Sequence, residues 1–174
     1  MSAEINKLAE NIQLLICDVD GVLTDGRIFL HSDPHNGDGV IEMKVFHARD
    51  GHGLKLVQRG GITVAIISGR KAPIVKARMD ALGISEVHQG CSDKLPVFRS
   101  LCTRMGISAE NVAYIGDDTI DLCVMREVGL PVAVADAHPK VKDAAKWVTT
   151  ALGGQGAVRE LCDLLLSAQN LPDE

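Results

Sequence analysis

The sequence predicts an α/β fold: a doubly wound, mainly parallel sheet with a projecting β-hairpin, in one domain over residues 1–174. Three observations carry that expectation. Short apolar runs alternate with helix-length stretches almost throughout, and parallel neighbours need such crossover connections. Aromatics are few, with three Phe, one Tyr and one Trp, so the strands rely on Val, Ile, Leu and Ala, as strands covered on both faces do. With 174 residues at 46% hydrophobic composition, the chain suffices for one well-buried core and is short for two.

The first element is the run Leu14, Leu15, Ile16, a buried strand leading into CDVDGVLTDG at residues 17–26. Residues 27–32 and 39–46 are β-rich and joined by DPHNGDG, which is dense in turn formers and predicts a hairpin. Its apolar positions Ile28, Leu30, Val40 and Ile41 suit pairing with another subunit. Asp50 is placed as the cap of a helix running to Gln58, closed by Gly60 and Gly61, before a strand at 62–67. A helix at 72–82 stops at Gly83, a short strand lies near Val87, and a helix at 95–105 stops at Gly106. Then follow a strand at 112–115, a helix at 120–127 before Gly129, a strand at 132–135, a short helix near Val141, a strand at 147–149 and a helix at 157–168. The tail from Asn170 is expected to fray.

Composition narrows the function classes. The formal net charge is -5 and no basic run forms a stripe for a nucleic-acid backbone, so no nucleic-acid partner is expected. No stretch reaches the roughly 18 apolar residues of a membrane helix, and the N-terminus lacks an export signal, which predicts a cytoplasmic protein without membrane contact. The five cysteines have no CxxC pairing and read as reduced thiols.

The chemistry concentrates at strand ends, where open α/β sheets place their ligands. Asp18 and Asp20 are one residue apart after the first strand, followed by Gly21, which lets the backbone turn away. Two such acids repel unless a cation lies between them, which makes Mg2+ the expected ion. The strand at 62–67 ends in Ser68, Gly69 and Arg70, offering a hydroxyl and N–H groups to a phosphate. Lys94 opens a helix, where a cation is unfavourable unless an anion is near. The strand at 112–115 ends in Asp117, Asp118 and Asp121, of which helix capping explains one.

Strand ends in the order Asp-x-Asp, Ser, Lys and Gly-Asp-Asp resemble the four motifs of the haloacid dehalogenase superfamily, over nearly the whole chain. The resemblance implies a Rossmann-like phosphohydrolase core. Asp18 would be the nucleophile that forms an aspartyl-phosphate, and Asp20 the acid and then base. Mg2+ would be held by Asp18, the Asp20 backbone carbonyl and Asp117. Ser68 and Lys94 would bind phosphoryl oxygens, with Asp118 or Asp121 in support. About 50 residues separate Asp18 from Ser68, and the hairpin plus one helix use most of them, so no cap domain is expected.

The stretches DVDGVLTDG, FHARDGHG, AIISGRKAPIV, GCSDKL, YIGDD and GGQGAVRELCDLLL are similar to one group in that superfamily, the 3-deoxy-D-manno-octulosonate 8-phosphate phosphatases of lipopolysaccharide synthesis. That similarity implies a phosphorylated keto-sugar acid as substrate and a homotetramer in which hairpins assemble and one subunit helps cover its neighbour's site. Substrate contacts would map to Asp20, His47, Ala48, Arg49, Asp50, Gly51, Lys55, Arg70, Arg78 and Lys94. The hairpin tip, residues 31–39, is longer than this group usually carries. Rival readings are a phosphatase of a related nonulosonate phosphate and, from another class, a phosphoacceptor signalling domain. The latter places its phosphorylated Asp on a middle strand and needs no second acid such as Asp20.

Overall fold

A computed structural model describes residues 3–35 and 39–173. Along the chain come α1 (Ala3–Ala9), β1 (Leu14–Cys17), β2 (Phe29–Ser32), β3 (Val40–Met43), α2 (Ala48–Arg59), β4 (Thr63–Ser68), α3 (Pro73–Leu82), β5 (Glu86–Gln89), α4 (Leu95–Met105), β6 (Val112–Gly116), α5 (Leu122–Met125), β7 (Leu130–Ala133), α6 (Pro139–Ala144), β8 (Trp147–Val148) and α7 (Ala157–Ala168). Short 3-10 turns at Ala109–Asn111 and Thr119–Asp121 precede β6 and α5.

Six strands form one parallel sheet in the order β5-β4-β1-β6-β7-β8. With the hairpin set aside, that is third, second, first, fourth, fifth, sixth: the doubly wound order, whose direction reverses between β1 and β6. Every residue of β1, β6 and β7 is buried, so the reversal lies at the centre of the core. Right-handed crossovers put the helices made on either side of that reversal on opposite faces. Accordingly α2 packs with α3 and α7, and α1 with α7, while α4, α5 and α6 pack in succession.

Helix ends follow the glycines. Gly83 (φ 74°) and Gly106 (φ 66°) close α3 and α4 in the left-handed conformation, which only glycine adopts without strain. Hairpin strands β2 and β3 pair antiparallel, from Phe29 opposite Met43 to Ser32 opposite Val40, apart from the main sheet. Part of the expected turn, residues 36–38, lies outside the described residues. Between Asp18 and Ser68 the chain has room only for this hairpin and α2, and no cap domain is present among the described residues.

The structure departs from the sequence reading in five places. Asp50 does not cap α2: His47 occupies that position without a side-chain bond. Asp50 lies in the helix's first turn, 1% exposed, and its Oδ1 accepts the Arg159 N–H at 2.7 Å. The cap therefore serves α7, the helix packed alongside. The expected 120–127 helix is a 3-10 turn and one α-turn, cut short because the chain must reach β7. That strand starts at Leu130 rather than 132, since Pro131 sits within the sheet with its carbonyl accepting from Lys146 at 2.9 Å. The sequence reading also missed α1, although Ile5, Leu8, Ala9 and Ile12 have helical spacing, and three of them, Ile5, Ala9 and Ile12, are buried. Beyond Asn170 the chain stays attached, with the Leu171 N–H on the Leu166 carbonyl at 2.9 Å.

Removing the cap exposes its role: Asp50→Ala should cost about 1–2 kcal/mol of unfolding free energy in urea titrations, and an unchanged midpoint would show that α7 does not need it.

Candidate active site

β1 and β6 end side by side, and the Asp18 N–H continues their ladder onto the Ile115 carbonyl at 3.1 Å. This fixes Asp18 at the point where the strand order reverses. Asp18, Asp117 and Asp121 each bring a carboxylate oxygen within 4.8 Å of one another. Gly21, at φ +88°, turns the chain away below them; a Cβ there would lie 2.1 Å from Asp117 Oδ2. Only glycine permits both the turn and the approach.

Lys94 lies buried among these acids. Its Nζ is 2.9 Å from Asp18 Oδ1 and 2.7 Å from Asp121 Oδ1, and it donates to the Tyr114 hydroxyl at 3.3 Å. Tyr114 in turn donates to Asp121 Oδ1 at 2.6 Å. Asp121 Oδ2 accepts the N–H groups of Asp117 (3.0 Å) and Asp118 (3.2 Å). Asp118 is exposed and caps the turn at Thr119–Asp121, accepting the Thr119 N–H at 2.6 Å. Both oxygens of Asp121 are thus engaged, which leaves Asp18 and Asp117 as the side chains free to hold a cation.

The electrostatics fit a divalent cation. With all three carboxylates ionised, the one ammonium would leave two negative charges uncompensated. Burial and the Asp121 charge push Asp18 up to about 6 against the pull of Lys94. Burial, then the charges of Asp18 and Asp121, push Asp117 up to about 8. Asp117 Oδ1 is buried without a hydrogen-bond partner among the described residues, an arrangement that is costly unless a cation takes the oxygen. Burial works to lower the Lys94 pKa, but Asp18 and Asp121 outweigh it and hold it above the usual lysine value.

Asp20 stands outside this acid cluster. Its Oδ1 pairs with Lys44, whose side chain is 1% exposed, and its Oδ2 faces Arg70 Nε at 3.7 Å. Asp18, Asp20, Ser68, Gly69, Arg70, Asp117, Asp118 and Ile120 line one cavity of about 150 Å³. The sequence reading missed Lys44. Its signal was the alternation VIEMKVF at residues 40–46, which puts Glu42 and Lys44 on one side of a strand.

The other expected substrate residues are not in that cavity. His47, Asp50, Gly51 and Arg78 share a narrow crevice with Leu23 and Phe46, where the Arg78 guanidinium lies 5.9 Å from the Phe46 ring centre. Ala48, Arg49 and Lys55 occupy exposed positions of α2. The Asp50 carboxylate is raised above its usual value by burial and points to α7. The glycines before α7 press on the loop that carries the acids: Gly154 N–H donates to the Val22 carbonyl at 2.8 Å, and a Cβ on Gly153 would lie 1.8 Å from the Gly21 oxygen.

Comparison with known proteins places this geometry. The haloacid dehalogenase-like hydrolase family profile matches residues 84–160. The 3-deoxy-D-manno-octulosonate 8-phosphate phosphatase of Escherichia coli is 52% identical over 174 residues, covering 100% of this chain and 89% of its own. The crystal structure of the phosphatase of that name from Yersinia pestis superposes with a TM-score of 0.92 at 48% identity, covering 98% of this chain and 89% of its own. That from Moraxella catarrhalis, solved with magnesium ion, phosphate ion and KDO, gives 0.91 at 40% identity, covering 98% and 94%.

Asp117 makes stability depend on pH and metal together. Its carboxyl titrates near 8 in the fold against about 4 in an unfolded chain. The folded state therefore keeps a proton that the unfolded state loses, and this stabilisation, full below about pH 4, disappears as pH rises to about 8. In chelator, the melting temperature should fall from pH 5 to pH 8, and Mg2+ should raise it more at pH 8; a metal effect that shrinks with rising pH would contradict the assignment.

Proposed function

The chain belongs to the haloacid dehalogenase-like hydrolases, and from that membership we propose that it hydrolyses 3-deoxy-D-manno-octulosonate 8-phosphate to the free sugar acid and phosphate, in lipopolysaccharide biosynthesis, with Mg2+ as cofactor. The observation that carries this reading is the convergence of Asp18, Asp117 and Lys94 at the sheet's switch point, with the Asp20 carboxylate held apart at the same cavity. One carboxylate is thereby left for attack and a second for proton transfer.

Asp18, Asp117 and the Asp20 backbone carbonyl would hold the ion. When bound, Mg2+ supplies charge neutralisation, so that an anionic nucleophile can meet an anionic phosphoryl group. Asp18 attacks phosphorus in line; the new O–P bond forms as the ester P–O bond breaks, giving an aspartyl-phosphate. Asp20 gives its proton to the departing sugar oxygen, then takes one from the water that cleaves the Asp18–phosphate bond. Ser68 and Lys94 bind phosphoryl oxygens, Lys94 by redirecting one of its donors from the acid network. Asp121 orients Lys94, and Asp118 caps the turn that presents Asp117 and Asp121.

The cavity of about 150 Å³ is well below the roughly 300–1,000 Å³ of a typical ligand site. It accommodates a phosphoryl group, and the sugar acid extends outside it. Arg70 at the rim, with Arg78, His47, Ala48, Arg49, Gly51 and Lys55, supplies sugar and carboxylate contacts, some of them to a neighbour's site in a homotetramer; Asp50 supports this surface through α7. The hairpin carries the assembly. Leu30, Val40 and Val45 are 66%, 64% and 63% exposed, an apolar display that favours a partner surface. No helix among the described residues is long and apolar enough to cross a membrane, and a cytoplasmic site of action suits the reading.

Phosphate release across a panel of sugar phosphates at fixed Mg2+ tests the substrate: the octulosonate 8-phosphate should be preferred, and nonulosonate phosphates cleaved as fast would displace it. Asp18→Asn should abolish turnover with an unaltered circular dichroism spectrum, and a stable phosphoprotein without phosphate release would favour a phosphoacceptor domain. Leu30→Glu combined with Val40→Glu should lower the mass seen by light scattering below that of a tetramer, and an unchanged mass would remove the hairpin from the interface.

A further inference from the structure

Lys44 follows β3, in a hairpin whose strand residues other than Glu42 are exposed, yet its side chain is 1% exposed. Burying an ammonium is costly unless it is paired and hydrogen-bonded. Here it has two carboxylates, Asp20 Oδ1 and, at 2.9 Å, Glu42 Oε1. Glu42 Oε2 accepts from Arg70 Nη2 at 3.0 Å, and Arg70 Nε faces Asp20 Oδ2 at 3.7 Å. The four side chains make a closed ring in which each oxygen of Asp20 faces a different cation. Glu42 and Lys44 come from the hairpin, Arg70 from the end of β4, and Asp20 from the loop after β1.

A lysine serving only to anchor the hairpin would need any core acid. This one takes the carboxylate that stands beside the nucleophile, and holds it away from the acid cluster. We propose that Lys44, braced by Glu42 and Arg70, is a positioning residue that fixes the Asp20 carboxylate for proton transfer to the leaving oxygen. The inference rests on the phosphatase reading above. It makes the hairpin part of the acid–base step as well as of the assembly.

Proton transfer matters for a poor leaving group such as a sugar alkoxide and little for a good one such as p-nitrophenolate. kcat/KM reports the path through the first phosphoryl transfer, so comparing the two substrates isolates the contribution of Asp20. Lys44→Met should lower kcat/KM about 10- to 100-fold on the sugar 8-phosphate, within the range of general acid catalysis, while p-nitrophenyl phosphate loses less than about 3-fold. Lys44→Arg should recover part of the sugar-phosphate rate. Equal losses on both substrates, or no loss on either, in a variant with native circular dichroism and Mg2+ affinity would overturn the proposal. Wild-type protein inactive on both substrates would instead overturn the phosphatase reading. If Lys44→Met does not fold, Glu42→Gln tests the same ring and should show the same selective loss in smaller degree.

Discussion

Lys94 sits buried between Asp18 and Asp121, and the arrangement of the rest of the site follows from how that one ammonium is shared. Burying several charges is costly, and a buried ion pair is retained only where hydrogen bonds satisfy what the pairing leaves over. Asp121 meets that condition completely, through Lys94, Tyr114 and two backbone N–H groups. Asp18 shares Lys94 and keeps an oxygen toward the cavity. Asp117 has no such compensation, with Oδ1 buried and unpartnered among the described residues. The charge deficit therefore falls where a divalent cation fits.

Topology makes this possible without strained backbone among the acids. At a switch point the crossovers on either side lead away in opposite directions, so the ends of β1 and β6 stay open. Glycines then bring backbone close from behind. Gly21 admits Asp117, while Gly153 and Gly154 seat the loop before α7 on the loop that carries Asp18 and Asp20. Asp50 holds the start of α7 from the neighbouring helix, so a residue distant from the cavity helps fix the segment that presses on the loop after Asp18.

The hairpin joins two requirements. Its apolar surface stands free of the main sheet, while Glu42 and Lys44 reach inward to Asp20. A cavity of about 150 Å³ has room for little more than a phosphoryl group, so the rest of any larger substrate would be recognised by residues outside it. Arg49 and Lys55 on the exposed side of α2 are placed for that role only if another subunit's site comes near them.

The sequence by itself determined the doubly wound sheet, the glycine-closed helices, the hairpin and the chemical types at each strand end. These are local properties: periodicity, turn residues and a polar group after an apolar run are written in consecutive residues. Weakly periodic or interrupted elements were harder, as the displaced start of β7 at Leu130 and the omitted α1 illustrate. Only the tertiary structure decided partnership. Asp50 looks like the cap of its own helix in the sequence, yet its carboxylate serves Arg159, 109 positions away. Lys44 was missed in the sequence, because its partner Asp20 lies 24 positions away and is met only when the hairpin folds back. Asp18 and Asp20 look like a pair that shares a cation; in the fold one turns to Lys94 and the other to Lys44. The reason is physical: a carboxylate's role depends on which charges and N–H groups lie within a few ångströms, and long-range packing sets those distances.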